Sequence, residues 1–147
     1  MIEIKVLLSI PSVKKDYHMI VQIKQMSTAN IQALTSDQAK ALTQVQLGAL
    51  TSAQVAVLED TSIDQFDSKQ IAAISVAGLG GLSTSQIAGL ATNQVAALTA
   101  TQLNAFTTDQ VVALSTEQAG ALTSSQVAGM LGTKLAAMET EDVAMLS

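Results

Sequence analysis

The stretch "LNAFTTDQVVALSTEQAGALTSSQVAG", residues 103–129, states nearly the same eight-residue phrase three times in succession. A period of eight matches neither the helical turn of about 3.6 residues nor the alternation of about two in a strand. Working outward, the phrase extends in register from Met26. With the large apolar residue as position 1, that position is Met26, Leu34, Leu42, Leu50, Leu58, Phe66, Ile74, Leu82, Leu90, Leu98, Phe106, Leu114, Leu122, Met130, Met138 and Leu146, all sixteen of them apolar. Position 6 is also apolar throughout, from Ile31 and Ala39 to Leu135 and Val143. Position 8 is Ala or Gly in twelve of fifteen octads, the exceptions being Val57, Gln65 and Met145. The consensus is L-[ST]-x-x-Q-[VIL]-x-[AG], a repeat signal strong enough to decide the architecture.

On one continuous α-helix, equivalent residues would drift by roughly 80 degrees per octad, and the apolar stripe would circle the helix in about four and a half repeats. No single face could then be buried, so the phase must be reset in every unit. Position 2 is Ser, Thr or Asp in eleven of fifteen octads, and position 5, three residues later, is Gln in ten. Pairs such as Thr35 with Gln38, Thr107 with Gln110 and Ser115 with Gln118 have the spacing of a capping box. In that motif a side-chain oxygen accepts from the N3 amide, while the Gln side chain accepts from the N-cap amide. The sequence therefore encodes a helix start every eight residues.

The expectation is an all-α solenoid of very short helices over positions 3 to 8, with positions 1 and 6 facing a common axis. The small residue at position 8 lets neighbouring turns approach closely. One such turn is far below the roughly 12 to 15 residues at which an isolated helix holds in water, so stability must come from stacking. Two other architectures compete. A β-solenoid with two octads per 16-residue coil would suit Val and Thr, but Ala and Gln favour helix and a strand has no use for a cap pair. Pairs of octads could also fuse into longer helices, most easily at "LATNQVAA", where Ala91 replaces the cap.

The chain divides near residue 26. Residues 1–25 hold the single Pro, His and Tyr of the 147-residue chain. "IEIKVLLSI" and "HMIVQIK" around "PSVKKD" read as a small β-hairpin or an edge strand, against the alternative of a poorly ordered leader or an over-extended reading frame. Residues 26–147 form the octapeptide array. Leu146 and Ser147 read as the start of a sixteenth octad, so this uncapped end is expected to pair with another copy, continue in a longer chain, or fray.

Composition narrows the function. There is no Arg, and seven Lys face twelve acids for a net charge of -5, which argues against a nucleic-acid partner. The absence of Cys removes disulfides, thiolate zinc sites and thiol nucleophiles. No stretch approaches the roughly 20 apolar residues of a membrane-spanning helix. The N-terminus lacks the basic region and cleavage site of a signal peptide. Localisation is therefore left open, including export by another route.

Departures from the repeat are concentrated in residues 58–81, "LEDTSIDQFDSKQIAAISVAGLGG". Glu59, Asp60, Asp64 and Asp67 could be read as a Ca²⁺ site, but acids at helix starts are favourable in their own right and the glycine-punctuated calcium loop is missing. Gly78, Gly80 and Gly81 read as a local bend or register defect. His18 has no partner at relay spacing. Rows of Ser and Thr could form an ice-binding or glycan-bearing array, although the capping role already accounts for most of position 2. Near-identical octads do not converge unlike groups on one place, so no catalytic, cofactor-binding or metal residue is assigned and an enzyme is not expected.

"LTSSQVAGM" and "FTTDQVVALSTEQAGAL" resemble the Leu-Thr-Thr-x-Gln-Val/Ile-x-Ala octapeptide repeats of some bacterial proteins, several of them large surface or secreted chains with adhesin-like or haem-utilisation labels. The resemblance covers residues 26–147 and carries over no site residue. "TTDQVVAL" also resembles the opening of a TAL-effector repeat, but the likeness ends after eight residues and the base-reading pair is missing, so DNA binding is not inferred. The resulting expectation is a non-enzymatic scaffold, spacer or protein-interaction module, with a calcium- or haem-binding repeat protein as the alternative.

Overall fold

The computed structural model describes residues 22–138, 140–144 and 146. The repeat becomes a succession of one-turn helices: α1 (Thr28–Gln32), α2 (Ser36–Lys40), α3 (Gln44–Gly48), α4 (Ser52–Ala56), α5 (Asp60–Ile63), α6 (Ser68–Ala73), α7 (Val76–Leu79), α8 (Thr84–Gly89), α9 (Thr92–Ala96), α10 (Ala100–Asn104), α11 (Thr108–Val112), α12 (Thr116–Gly120), α13 (Ser124–Gly129), α14 (Gly132–Leu135) and α15 (Thr140–Ala144). No strand occurs among the described residues.

Most helices cover positions 3 to 7, and the residues between them explain why. The N-cap at position 2 is extended, as at Thr43 (φ -73°, ψ 159°) and Thr107 (φ -69°, ψ 166°), so the chain changes direction once per octad. At the other end, the amide of the next position 1 donates back to the carbonyl of position 6 in a tight i to i−3 bond, as from Leu42 to Ala39 (3.0 Å) and from Leu114 to Val111 (3.2 Å). This closes one helix as the next N-cap opens another.

From α4 onward, every helix but α14 packs on the helix three octads earlier. One stack is α1, α4, α7, α10 and α13; a second begins α2, α5, α8 and α11, and a third is α3, α6, α9, α12 and α15. The fold is thus a three-sided helical solenoid with three octads, or 24 residues, per coil. The 16-residue β-coil is excluded, because these residues make capped helices and meet their neighbours one octad later than that coil requires.

The core lies on the axis. Position 6 is sealed, with Leu47, Val55, Ile71, Leu79, Ile87, Val95, Leu103, Val111 and Ala119 all at 0 % exposure. Position 1 forms the next layer; Leu50, Leu98 and Phe106 are all buried. The corners are tight as well. A Cβ on Gly81 would stand 2.7 Å from the Ser52 carbonyl carbon one coil earlier, so this position 8 accepts only glycine without a backbone shift.

At the irregular octads one expectation is corrected and one alternative is excluded. The octad containing Gly78, Gly80 and Gly81 is not a register defect: α7 is capped by Ser75, whose hydroxyl accepts from the Gly78 amide at 3.0 Å, and Ile74 and Leu79 are both buried. Apolar positions 1 and 6 hold it in place. Nor do octads fuse at Ala91, since Leu90 (ψ 136°) and Ala91 (ψ 152°) are extended and break the helix as elsewhere. Gln94 preserves that start by accepting from the Ala91 amide at 2.7 Å.

Residues 1–21, which include His18 and most of the expected hairpin, lie outside the described residues. Residues 22–25 are helical, and Ile23 joins the core.

Candidate interaction surface

Among the described residues the interior is sealed, so contact with a partner falls on the outer surface of the solenoid. The chemistry there begins with what the polar side chains are already doing. Capping boxes with both hydrogen bonds occur at Ser27/Asn30, Thr35/Gln38, Thr43/Gln46, Thr51/Gln54, Asp67/Gln70, Ser83/Gln86, Thr99/Gln102, Thr107/Gln110, Ser115/Gln118 and Thr123/Gln126. In the octad of α11, the Gln110 amide donates to Thr107 Oγ1 at 3.2 Å, and Gln110 Oε1 accepts from the Thr107 amide at 2.7 Å.

The same glutamines have a second task. Their Nε2 groups donate across to the preceding coil, onto the carbonyls that end its helices. Gln110 donates to Leu82 O at 2.6 Å, Gln118 to Leu90 O at 2.5 Å and Ile87 O at 2.9 Å, and Gln126 to Leu98 O at 2.6 Å and Val95 O at 3.0 Å. Gln54, Gln70, Gln86, Gln94 and Gln102 make equivalent bonds. Lys134 occupies position 5 of its octad and donates to Phe106 O in the same way. Each such glutamine therefore caps the start of its own helix and the end of the helix that leads into its stacking neighbour, as Gln110 of α11 does for α7. Apart from the half-buried Gln70 and Lys134, these side chains are buried, Gln118 at 2 % and Gln110 at 3 % exposure, and belong to the frame rather than to a binding surface.

What remains on the outside is positions 3, 4 and 7, with the partly used hydroxyls of position 2. The acidic residues of the 58–81 segment do not converge. Asp67 is an N-cap accepting from the Gln70 amide at 2.8 Å, and Asp60 accepts from the Ser85 hydroxyl of the next coil at 3.1 Å. Among the described residues, no group of three or more His, Asp or Glu is placed to share a metal ion. Glu117, fully exposed, has its carboxyl held below the usual range, first by its own backbone amide and then by the Ser115 hydroxyl.

Charge is distributed unevenly over the faces. Among the described side chains, the octads of the second stack contain Asp37, Lys40, Glu59, Asp60, Asp64, Asp109 and Lys134, whose Nζ reaches Phe106 O of that stack, and those of the third contain Asp67, Lys69, Glu117 and Asp142. The five octads of the first stack, residues 26–33, 50–57, 74–81, 98–105 and 122–129, contain no Asp, Glu, Lys or Arg. Neither the coil of three octads nor this neutral face is visible until the stacks are known.

Residues 63–100 and 100–131 match the family model described as the ALTTAQ repeat, which supports a repeat family for this stretch. No curated protein and no solved structure matches the chain. No helix among the described residues is long and apolar enough to cross a membrane.

Proposed function

We propose that the chain is a non-enzymatic repeat scaffold, acting as a spacer or protein-interaction module. The observation that carries this reading is the consumption of its recurrent polar groups by the frame: the position 2 hydroxyls and position 5 amides that recur in register are spent on helix ends. A catalytic or cofactor site needs unlike groups aimed at one vacant place, whereas here like groups are aimed at the backbone. The resemblance to octapeptide repeats of bacterial surface and secreted chains supports placing this array in a larger protein of that kind. Low cationic content supports a protein rather than a nucleic-acid partner.

The far end of the array fits the same role. Position 6 is sealed through Ala119, but Val127 and Leu135 are only partly buried and Val143 is 45 % exposed; Leu131 is 57 % exposed beside them. Exposed apolar side chains of this kind suit contact with a protein partner. A spacer should also lengthen without changing its chemistry. Duplicating one coil, residues 90–113, should extend the particle measured by small-angle scattering while leaving the melting temperature unchanged or higher. Titration with calcium or haem should leave that temperature where it was. A rise of several degrees with either ligand would favour the ligand-binding alternative, since a ligand that binds only the folded state stabilises it.

A further inference from the structure

We propose that residues 130–137 form a hinged flap in the wall of the solenoid, latched shut by Asn104. The helix of this octad, α14, combines three weaknesses. Its N-cap is Leu131, which makes no side-chain cap bond, and none of its residues is buried. From α4 onward it alone, among the described helices, does not pack closely on the helix three octads earlier. Two other helices start without a side-chain cap, α5 and α9, but both keep their supports: Ile63 and Val95 are sealed in the core and each helix is stacked. A one-turn helix has little stability of its own, so the octad with the least stacking has the lowest free energy of local opening.

The helices on either side are anchored. α13 packs on α10 and α15 packs on α12, so the octad between them is held at both ends and can swing out in the middle. Met130 (ψ 142°) and Leu131 (ψ 141°) are both extended and supply the hinge on the incoming side. Gly132 follows, with open space where a Cβ would stand. What keeps the flap shut comes from the preceding coil. Lys134 stands where most octads have glutamine and has no oxygen to accept from the Leu131 amide. Asn104 of α10 takes over that role: its Oδ1 accepts from the Leu131 amide at 2.8 Å, and its Nδ2 donates to Gly129 O at 3.0 Å. One side chain thus clasps both sides of the hinge. Lys134 Nζ adds a second hold at Phe106 O. Swinging out adds Leu135, which packs against the core, to the already exposed Leu131. The flap stands apart from the scaffold reading, which a rigid wall would leave intact.

The test is amide hydrogen exchange of the full chain. The amides of Leu135, Ala137 and Met138 are hydrogen-bonded to the backbone, as are those of Val111, Ala113 and Leu114 in α11. The flap amides should nevertheless exchange faster by about tenfold or more. They should also exchange faster than residues 142–144 of α15, the reverse of the order that progressive fraying produces. Asn104→Ala should speed the flap amides by about a further tenfold and leave those of α11 unchanged. That variant should fold, because Ala88 and Ala96 already occupy the same position of their octads. Asn93→Ala removes a different bond between coils, to Ser68 Oγ at 3.1 Å, and should leave the flap as it was. Leu131→Ser with Lys134→Gln rebuilds the capping box and should slow the flap towards the rate of α11. The proposal is overturned if residues 135–138 exchange no faster than α11, or if α15 opens before them. It is equally overturned if Asn104→Ala leaves the flap unchanged or loosens all octads alike, or if the rebuilt box does not slow it.

Discussion

Residues 82–129 and residues 58–81 obey the same period by different means. In the first region all six octads carry the position 5 glutamine, from Gln86 to Gln126, and each reaches a carbonyl of the coil before it. In the second, only Gln70 survives, with Ser62 and Gly78 in the other two octads. Yet the cores are alike: Ile63 is 1 % and Leu79 0 % exposed, as sealed as Val95 or Leu103. The apolar residues of positions 1 and 6 therefore hold the register, and the glutamine adds a second, polar layer that ties coil to coil. Where that layer is missing, the helix ends at Leu34 and Leu50 lose the donor that a glutamine at residue 62 or 78 would provide.

This contrast is open to experiment. The largest effect is expected in the regular region. Gln118→Glu keeps the capping acceptor but replaces the buried donor with a carboxylate facing the carbonyls of Ile87 and Leu90, at a cost of about 3 to 5 kcal/mol at neutral pH. Burial and those acceptors raise the folded-state pKa of the new carboxyl, so the penalty is present above it and is relieved as pH falls through it. Melting curves of the variant should approach wild type in acid; a variant as stable as wild type at neutral pH would remove the tie from the account.

Next comes the corner at Gly81. Gly81→Ala forces a Cβ onto the Ser52 backbone and should cost about 1 to 3 kcal/mol in a denaturant titration, whereas Gly132→Ala, with open space around it, should cost nothing. The irregular region should also be improvable. Gly78→Gln restores the missing arm towards Leu50 O, which lies 3.4 Å from where a Cβ on residue 78 would stand, and removes a helical glycine. The expected gain is about 1 to 2 kcal/mol, read as a higher melting temperature, provided Ile74 Cγ2 can yield to a Cβ 2.9 Å away.

The smallest effect concerns Glu117. Its carboxyl titrates below its ordinary value in the folded protein, first through its own amide and then through Ser115. The stabilisation it brings is therefore present above the unfolded value and fades as pH falls through the folded one. Glu117→Gln should flatten the acid limb of melting temperature against pH slightly, and an unchanged limb would show that the contacts at this exposed site do not matter.

Much of this architecture was legible in the sequence. The phase drift of an eight-residue period demanded a reset, and the hydroxyl-to-glutamine spacing located it at the residues that are extended N-caps, such as Thr43 and Thr107. Positions 1 and 6 marked the core. The number of octads per coil was not legible, because every octad is nearly the same and nothing local distinguishes the neighbour three units away from the one two units away. One signal did exist. A capping box accepts Glu as readily as Gln, yet position 5 is Gln in ten octads and never Glu. Only the amide has a donor left over, and Lys134, the one cationic replacement, keeps a donor too. The neutral face depends on the coil number and so was hidden with it. The glycines of residues 78–81 misled for a related reason: propensity marks them as a weak point, whereas Gly81 answers a tertiary contact with Ser52.

The central claim is that the chain returns to itself after three octads. The wild-type chain has no cysteine, so one engineered pair can report this directly. A Cβ on Gly129 would lie 2.6 Å from that of Ala100, close enough that a small outward shift reaches disulfide distance. Ala100→Cys with Gly129→Cys should oxidise rapidly to an intramolecular disulfide in the folded chain. Ala100→Cys with Ala121→Cys, the equivalent pair for a coil of two octads, should remain reduced. Efficient closure of the second pair and not the first would contradict the three-sided coil.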